Sequence, residues 1–332
     1  MRIDIYTHFF PARYFSRLES LLDPARMTPW FKNPPLRLLD ERLKLIEQFP
    51  DYRQVIANSM PPLEVLGGPE QTPELARLAN DGLAETCARY PDHFAGFVAS
   101  LPMNNPDAAV IEIDRSVKEL GARGVQIFSN VNGRPLDDPA FWPIFERMAR
   151  HDLPIWLHPV RTAAWADYPV SSHSKYAAYF TFGWPYETTL AMTHLIFAGL
   201  FERLPGIKII VHHMGAMLPF FEGRAGVGFD EFTEHSTDEE LRAAREGLSR
   251  PPWEYYKMFY ADTALFGSAA GTRCGASFFG PERILFGSDA PFGRGAPNIA
   301  STLRIIEELD VSDAERAAIF EGNAVRLLRL PE

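Results

Sequence analysis

Short apolar runs alternate with helical stretches along most of this chain, and that alternation limits the fold more than any other feature. Residues 94–100, 124–128, 154–158, 207–211, 258–262 and 283–288 each read as a strand, being brief and rich in branched or aromatic side chains. Two earlier runs, at 3–8 and 53–58, join them. Helical patterns fill the gaps at 36–48, 72–90, 107–120, 138–150, 185–203, 238–248 and 264–274, and two more helices end the chain. About eight strand-then-helix units match the roughly 250-residue core of a (β/α)8 barrel. An open doubly wound sheet would carry a glycine-rich phosphate loop after its first strand, and His8-Phe9-Phe10-Pro11 is nothing like one. We therefore expect an α/β protein with a single barrel domain over residues 1–332. Insertions follow strands 1 and 5, at about 12–35 and 161–184. The first of these shows no steady period and reads as a long, aromatic-rich loop.

Composition excludes several classes of function. At 46% hydrophobic and 23% charged, a chain of 332 residues has ample material for a packed core. The net charge of −10 is spread along the chain, which argues against nucleic acid or an anionic membrane as partner. Only Cys87 and Cys274 occur, too few for a disulfide framework, so a cytoplasmic location is expected. Neither a leader peptide nor a spanning segment is read at the start, where residues 3–6 already form strand pattern.

Chemistry enters through the residues at strand ends, which in a barrel line the catalytic face. His8 ends the first strand, His158 the fifth, His212-His213 the sixth and Asp289 the eighth. The other five histidines fall in helices or loops. Imidazoles and a carboxylate converging on one open site suit zinc, with manganese or iron as alternatives, and no organic cofactor is called for. Trp30, Phe31, Trp165, Tyr168, Tyr179, Phe180, Phe182 and Trp184 sit in the two insertions, on the same side, where flat walls suit a planar acid. Arg161, three residues past His158, adds positive charge toward such an acid.

Specific motifs also carry a family resemblance. Tyr6-Thr7-His8-Phe9-Phe10-Pro11 resembles the H-x-H-x-x-P opening of the amidohydrolase superfamily, in the branch of aminocarboxymuconate-semialdehyde decarboxylase. Trp156-Leu157-His158-Pro159, Pro185-Tyr186-Glu187-Thr188-Thr189, His213-Met214-Gly215 and Phe286-Gly287-Ser288-Asp289-Ala290-Pro291-Phe292 follow in the same order. The resemblance implies a metal-bearing barrel and nonoxidative decarboxylation of an aromatic, hydroxybenzoate-like or muconate-type acid. It implies His8, His158 and Asp289 as metal ligands and His213 as the histidine facing the substrate. Strand alternation is taken to agree, since only one of two adjacent residues aims inward, which leaves His212 behind His213. It further implies that Arg224 holds the substrate carboxylate across a homodimer interface, with Lys32 a weaker match to another carboxylate-binding residue. Asp289 is then the proton donor to the ring carbon, assisted by His213.

One position departs from the pattern. Where the family has His or Glu before x-His, this chain has Tyr6, and a phenol with a pKa of about 10 is a poor metal ligand. Three protein ligands plus water is the arrangement expected, with Tyr6 bound as phenolate, or a weak or absent metal, as the alternatives. Hydrolysis or hydration of a related acid on the same barrel, and a catalytically weak accessory subunit, are the rival functions.

Overall fold

The computed structural model describes residues 1–22 and 29–331, without the side chains of Pro29 and Trp30. Eight parallel strands form a closed barrel. They are β1 (Arg2–His8), β2 (Tyr52–Ala57), β3 (Phe94–Phe97, continued by Ala99–Ser100), β4 (Val125–Phe128), β5 (Ile155–His158), β6 (Ile209–Val211), β7 (Tyr260–Asp262) and β8 (Ile284–Leu285). Each pairs with the next in chain order. Within β3 the chain changes partner: Val98 N–H bonds the Ile56 carbonyl and Ala99 N–H bonds that of Gly124. The last strand returns to the first through Ile5 N–H to Phe286 O at 2.9 Å, Asp289 N–H to Tyr6 O at 2.9 Å and His8 N–H to Ala290 O at 2.7 Å.

Strand pleating sorts the apolar residues into two layers. Val55, Val98, Trp156, Ile210 and Leu285 pack inside the barrel, where Ala324, Leu327 and Leu328 of the last helix close its amino end. Ile56, Ile155, Leu157, Ile209, Val211 and Ile284 face the surrounding helices instead. In β1 the register slips between Asp4 and Thr7. Ile3, Ile5 and Tyr6 therefore all join the interior, and His8 follows them inside.

The helices follow the expected signals where those were strong. Thr72–Arg89 begins with Pro73 in its first turn and buries Leu75, Ala76, Ala79 and Leu83, one face at helical spacing. Two expectations are corrected. The stretch read as loop contains a helix, Ala12–Leu21, whose Tyr14, Phe15 and Leu18 pack with Phe10, Phe31 and Leu36. Those three residues do have i, i+1, i+4 spacing, hidden among neighbouring aromatic residues and prolines. The long helix at 185–203 is instead two, Trp184–Phe197 and Leu200–Arg203, divided at Gly199 with φ 77°.

Candidate metal centre and its cavity

Three imidazoles meet at the carboxyl end of the barrel, His8 and His158 as the last residues of β1 and β5 and His212 as the residue just after β6. His8, His158 and His212 have donor atoms lying within 4.8 Å of one another, and so do His212, His213 and Asp289. Each of the first three rings has Nδ1 occupied. His8 Nδ1 meets the Asn58 carbonyl at 3.1 Å, His158 Nδ1 the Pro159 carbonyl at 2.7 Å and His212 Nδ1 the Asp262 carboxylate at 2.6 Å. A donating Nδ1–H leaves the lone pair on Nε2, the tautomer a metal ligand needs.

Asp289 sits at the turn after β8 with φ 64°, held by its N–H bond to Tyr6 O. Its neighbour Ser288 donates its N–H and hydroxyl to the Asp4 carboxylate, and its carbonyl accepts from Asn298 Nδ2 at 2.6 Å. Asp tolerates this left-handed backbone, and the strain is fixed by surrounding bonds. Its Oδ1 lies 3.1 Å from His8 Nε2 and 3.6 Å from His212 Nε2, yet none of these three buried atoms makes a hydrogen bond. Lone-pair donors this close that do not bond one another fit a cation between them. Burial favours a neutral Asp289, but the His212 and His8 imidazoles hold its carboxyl well below the usual carboxylate range. Burial also opposes charge on His212, but Asp262 and Asp289 together lift it to about 9. Burial, then the neighbouring histidines, push His158 and His213 well below the ordinary imidazole value. A proton on His212 thus balances two buried carboxylates, a place that a divalent cation can take with release of that proton.

A cavity of about 470 Å³ opens from the cluster, lined by His158 and Asp289 and walled by Phe180, Trp184, Phe266 and Phe292. Trp184 meets the His158 ring edge-on at 5.6 Å. Arg161 is not part of this wall: its guanidinium pairs with Glu187 at 2.8 Å, and its carbonyl accepts from Trp184 Nε1 at 3.1 Å. Lys32 is exposed beside Asn33, which does line the cavity. Arg224 is exposed on the helix Glu222–His235, away from the cavity lining. The side chain of Trp30 lies outside the described part.

The alternation argument for His213 over His212 does not survive the register. Because Ile210 faces the barrel interior, the inward residue two places on is His212, which is fully buried. His213 reaches Asp289 only because the strand ends at Val211 and its own φ is 57°. Its ring lies 3.7 Å from that of His212 and 6.2 Å from Phe266 on the cavity wall. Asp262, at the end of β7, was missed although the strand-end rule that found His8 applies to it equally. Arg294 and Asn33, also lining the cavity, carried no signal beyond lying in loops on the catalytic side.

A (β/α)8 barrel with imidazoles and carboxylates at its strand ends is a scaffold class of metal-dependent enzymes. Residues 3–330 match the amidohydrolase family, and the chain belongs to it. A 2-amino-3-carboxymuconate-6-semialdehyde decarboxylase from Dictyostelium discoideum is 31% identical over 262 residues, 79% of this chain and 68% of its own. A gamma-resorcylate decarboxylase from Polaromonas sp. (strain JS666) is 30% identical over 329 residues, 96% of this chain and 97% of its own. The solved structure of a dihydroxybenzoic acid decarboxylase from Polaromonas sp. JS666, with bound manganese and the inhibitor 2-nitroresorcinol, has a TM-score of 0.81. It is 26% identical and covers 99% of this chain and 96% of that one.

Proposed function

We infer that this protein is a divalent-metal-dependent, nonoxidative decarboxylase of a hydroxybenzoate-like or muconate-type acid. The observation that carries this is the cluster of His8, His158 and His212, with the unbonded Asp289 Oδ1 at 3.1 Å from His8 Nε2, at the head of a cavity with aromatic walls. The nitrogen-rich donor set suits zinc, with manganese as the alternative. When bound, the cation supplies a Lewis acid that holds the substrate carboxylate and orients the ring.

The chain's own residues account for the rest of the reaction. Departure of CO2 leaves an electron pair on the ring carbon, which must be protonated. Asp289, at the mouth of the cluster and ionised at rest, first takes up a proton from solvent and then passes it to that carbon, and His213 hydrogen-bonds the substrate oxygen and assists the transfer. Phe180, Trp184, Phe266 and Phe292 exclude water and stack on the planar acid. Arg294 adds positive charge to the same cavity. Metal-loaded protein is expected to release CO2 from at least one hydroxybenzoate or muconate in a panel assayed beside lactones. Turnover of lactones alone would replace this reading with hydrolysis.

The working form is a homodimer. The helix Glu222–His235 carries exposed Val227 and Phe232 beside Arg224, and Phe220 just before it is 81% exposed. Apolar side chains so exposed on one segment fit a surface that a second copy covers, with Arg224 near the interface. Light scattering is expected to give twice the chain mass, and a Phe232→Glu protein half of that; a wild-type monomer would remove the interface. Both cysteines are free, in keeping with a reducing cytoplasm, and no helix among the described residues is long and apolar enough to cross a membrane.

A further inference from the structure

The first ligand position of β1 is filled by a side chain ill suited to it. Tyr6 is buried with its hydroxyl unpaired, and its ring lies flat on His212, with centroids 3.8 Å apart and planes within 8°. It stands farther from His8 and His158, at 5.5 and 6.2 Å between centroids. The tyrosine therefore backs the His212 imidazole and fixes its plane.

His212 has what Tyr6 lacks. Its Nδ1 is tethered to Asp262, as those of His8 and His158 are tethered to carbonyls, and the residue is fully buried. Its Nε2 makes no hydrogen bond and lies 3.6 Å from Asp289 Oδ1. Neighbouring donors around a five-coordinate cation at about 2.1 Å stand ~3.0–3.6 Å apart, matching the spacings of Asp289 Oδ1 from His8 and His212, and four protein donors then leave one position for substrate. A carboxylate–histidine tether of this kind orients a ring and raises its basicity toward a metal. His213 is different, because its buried Nδ1 has no partner to hold the ring.

Resting on the metal-centre reading above, we propose that His212 is the fourth protein ligand of this centre. The centre is then His8, His158, His212 and Asp289, with Asp262 orienting His212 and Tyr6 packed behind it. The ligand missing from β1 is supplied from the end of β6.

Metal binding tests this without recourse to activity. Full-length wild type, His212→Ala, Asp262→Asn and Tyr6→Phe proteins are stripped with chelator and reloaded with cobalt(II). Metal per chain, affinity by chelator competition and the visible cobalt spectrum are then measured. The expected result is one cobalt per wild-type chain, with affinity lowered at least about 100-fold by His212→Ala and about 10- to 100-fold by Asp262→Asn. Tyr6→Phe should bind as wild type does, with the same spectrum. Wild-type affinity and spectrum in His212→Ala, or loss of binding in Tyr6→Phe, would overturn the proposal. If His212→Ala fails to fold, unchanged affinity in Asp262→Asn overturns it instead. A wild-type protein that binds no cobalt, zinc or manganese removes the metal-centre reading itself, and this ligand assignment with it.

Discussion

Asp289→Asn is expected to lower turnover by at least about 10³-fold while leaving the far-ultraviolet circular dichroism unchanged. Asn matches Asp in shape, and the backbone bond from residue 289 to Tyr6 O does not involve the side chain. What disappears is the negative charge beside His8 and His212 and, with it, the carboxyl group that can carry a proton. Weaker metal binding and lost proton delivery both reduce the rate, so turnover is to be compared at saturating metal with metal content measured. A fully loaded Asp289→Asn protein working at near-normal rate would take the proton-delivery role away from this residue.

The second large effect is on stability. Trp156→Ala is expected to cost about 4 kcal/mol, the usual range for emptying a fully buried tryptophan. Trp156 fills the barrel interior at no solvent exposure, and its Nε1–H donates to the Ile5 carbonyl at 3.1 Å. Trp156→Phe refills much of the volume but removes the donor, so it should cost less, about 1–3 kcal/mol. The same indole meets Gly124 so closely that a Cβ there would fall 2.6 Å from Trp156 and 2.2 Å from the Pro154 carbonyl. Denaturant unfolding followed by circular dichroism measures these losses; less than about 1 kcal/mol for Trp156→Ala would mean the interior collapses around the gap.

Much of the scaffold was legible because parallel strands buried on both faces leave unmistakable runs such as Ile209-Ile210-Val211. The ends of such runs name His8, His158 and Asp289 as candidates without coordinates. The parity of β6 was not legible: Ile209 and Ile210 are identical side chains, and only pairing shows that Ile210 faces inward. That parity decides between His212 and His213, so a sequence argument from alternation had no way to choose. Asp262 shows a different failure, since the run 258–262 reads as strand to its last residue and so hides the carboxylate that ends it. The helix Ala12–Leu21 was obscured because its aromatic residues pack on other loop residues, and periodicity is weak where the buried face is so broad.

The register slip in β1 makes the spacing of its motif a property of backbone pairing as well as of residue type. In an unbroken strand running from Ile3 and Ile5, the odd positions would face inward, and Tyr6 and His8 would point into the helical layer. One irregular step between Asp4 and Thr7 transfers both to the interior. A relative with the same histidine but one residue fewer ahead of it would keep the letters of the motif and lose the ligand. For chains of this kind, the count of residues from the start of the first strand therefore carries functional information that the identity of the histidine alone does not.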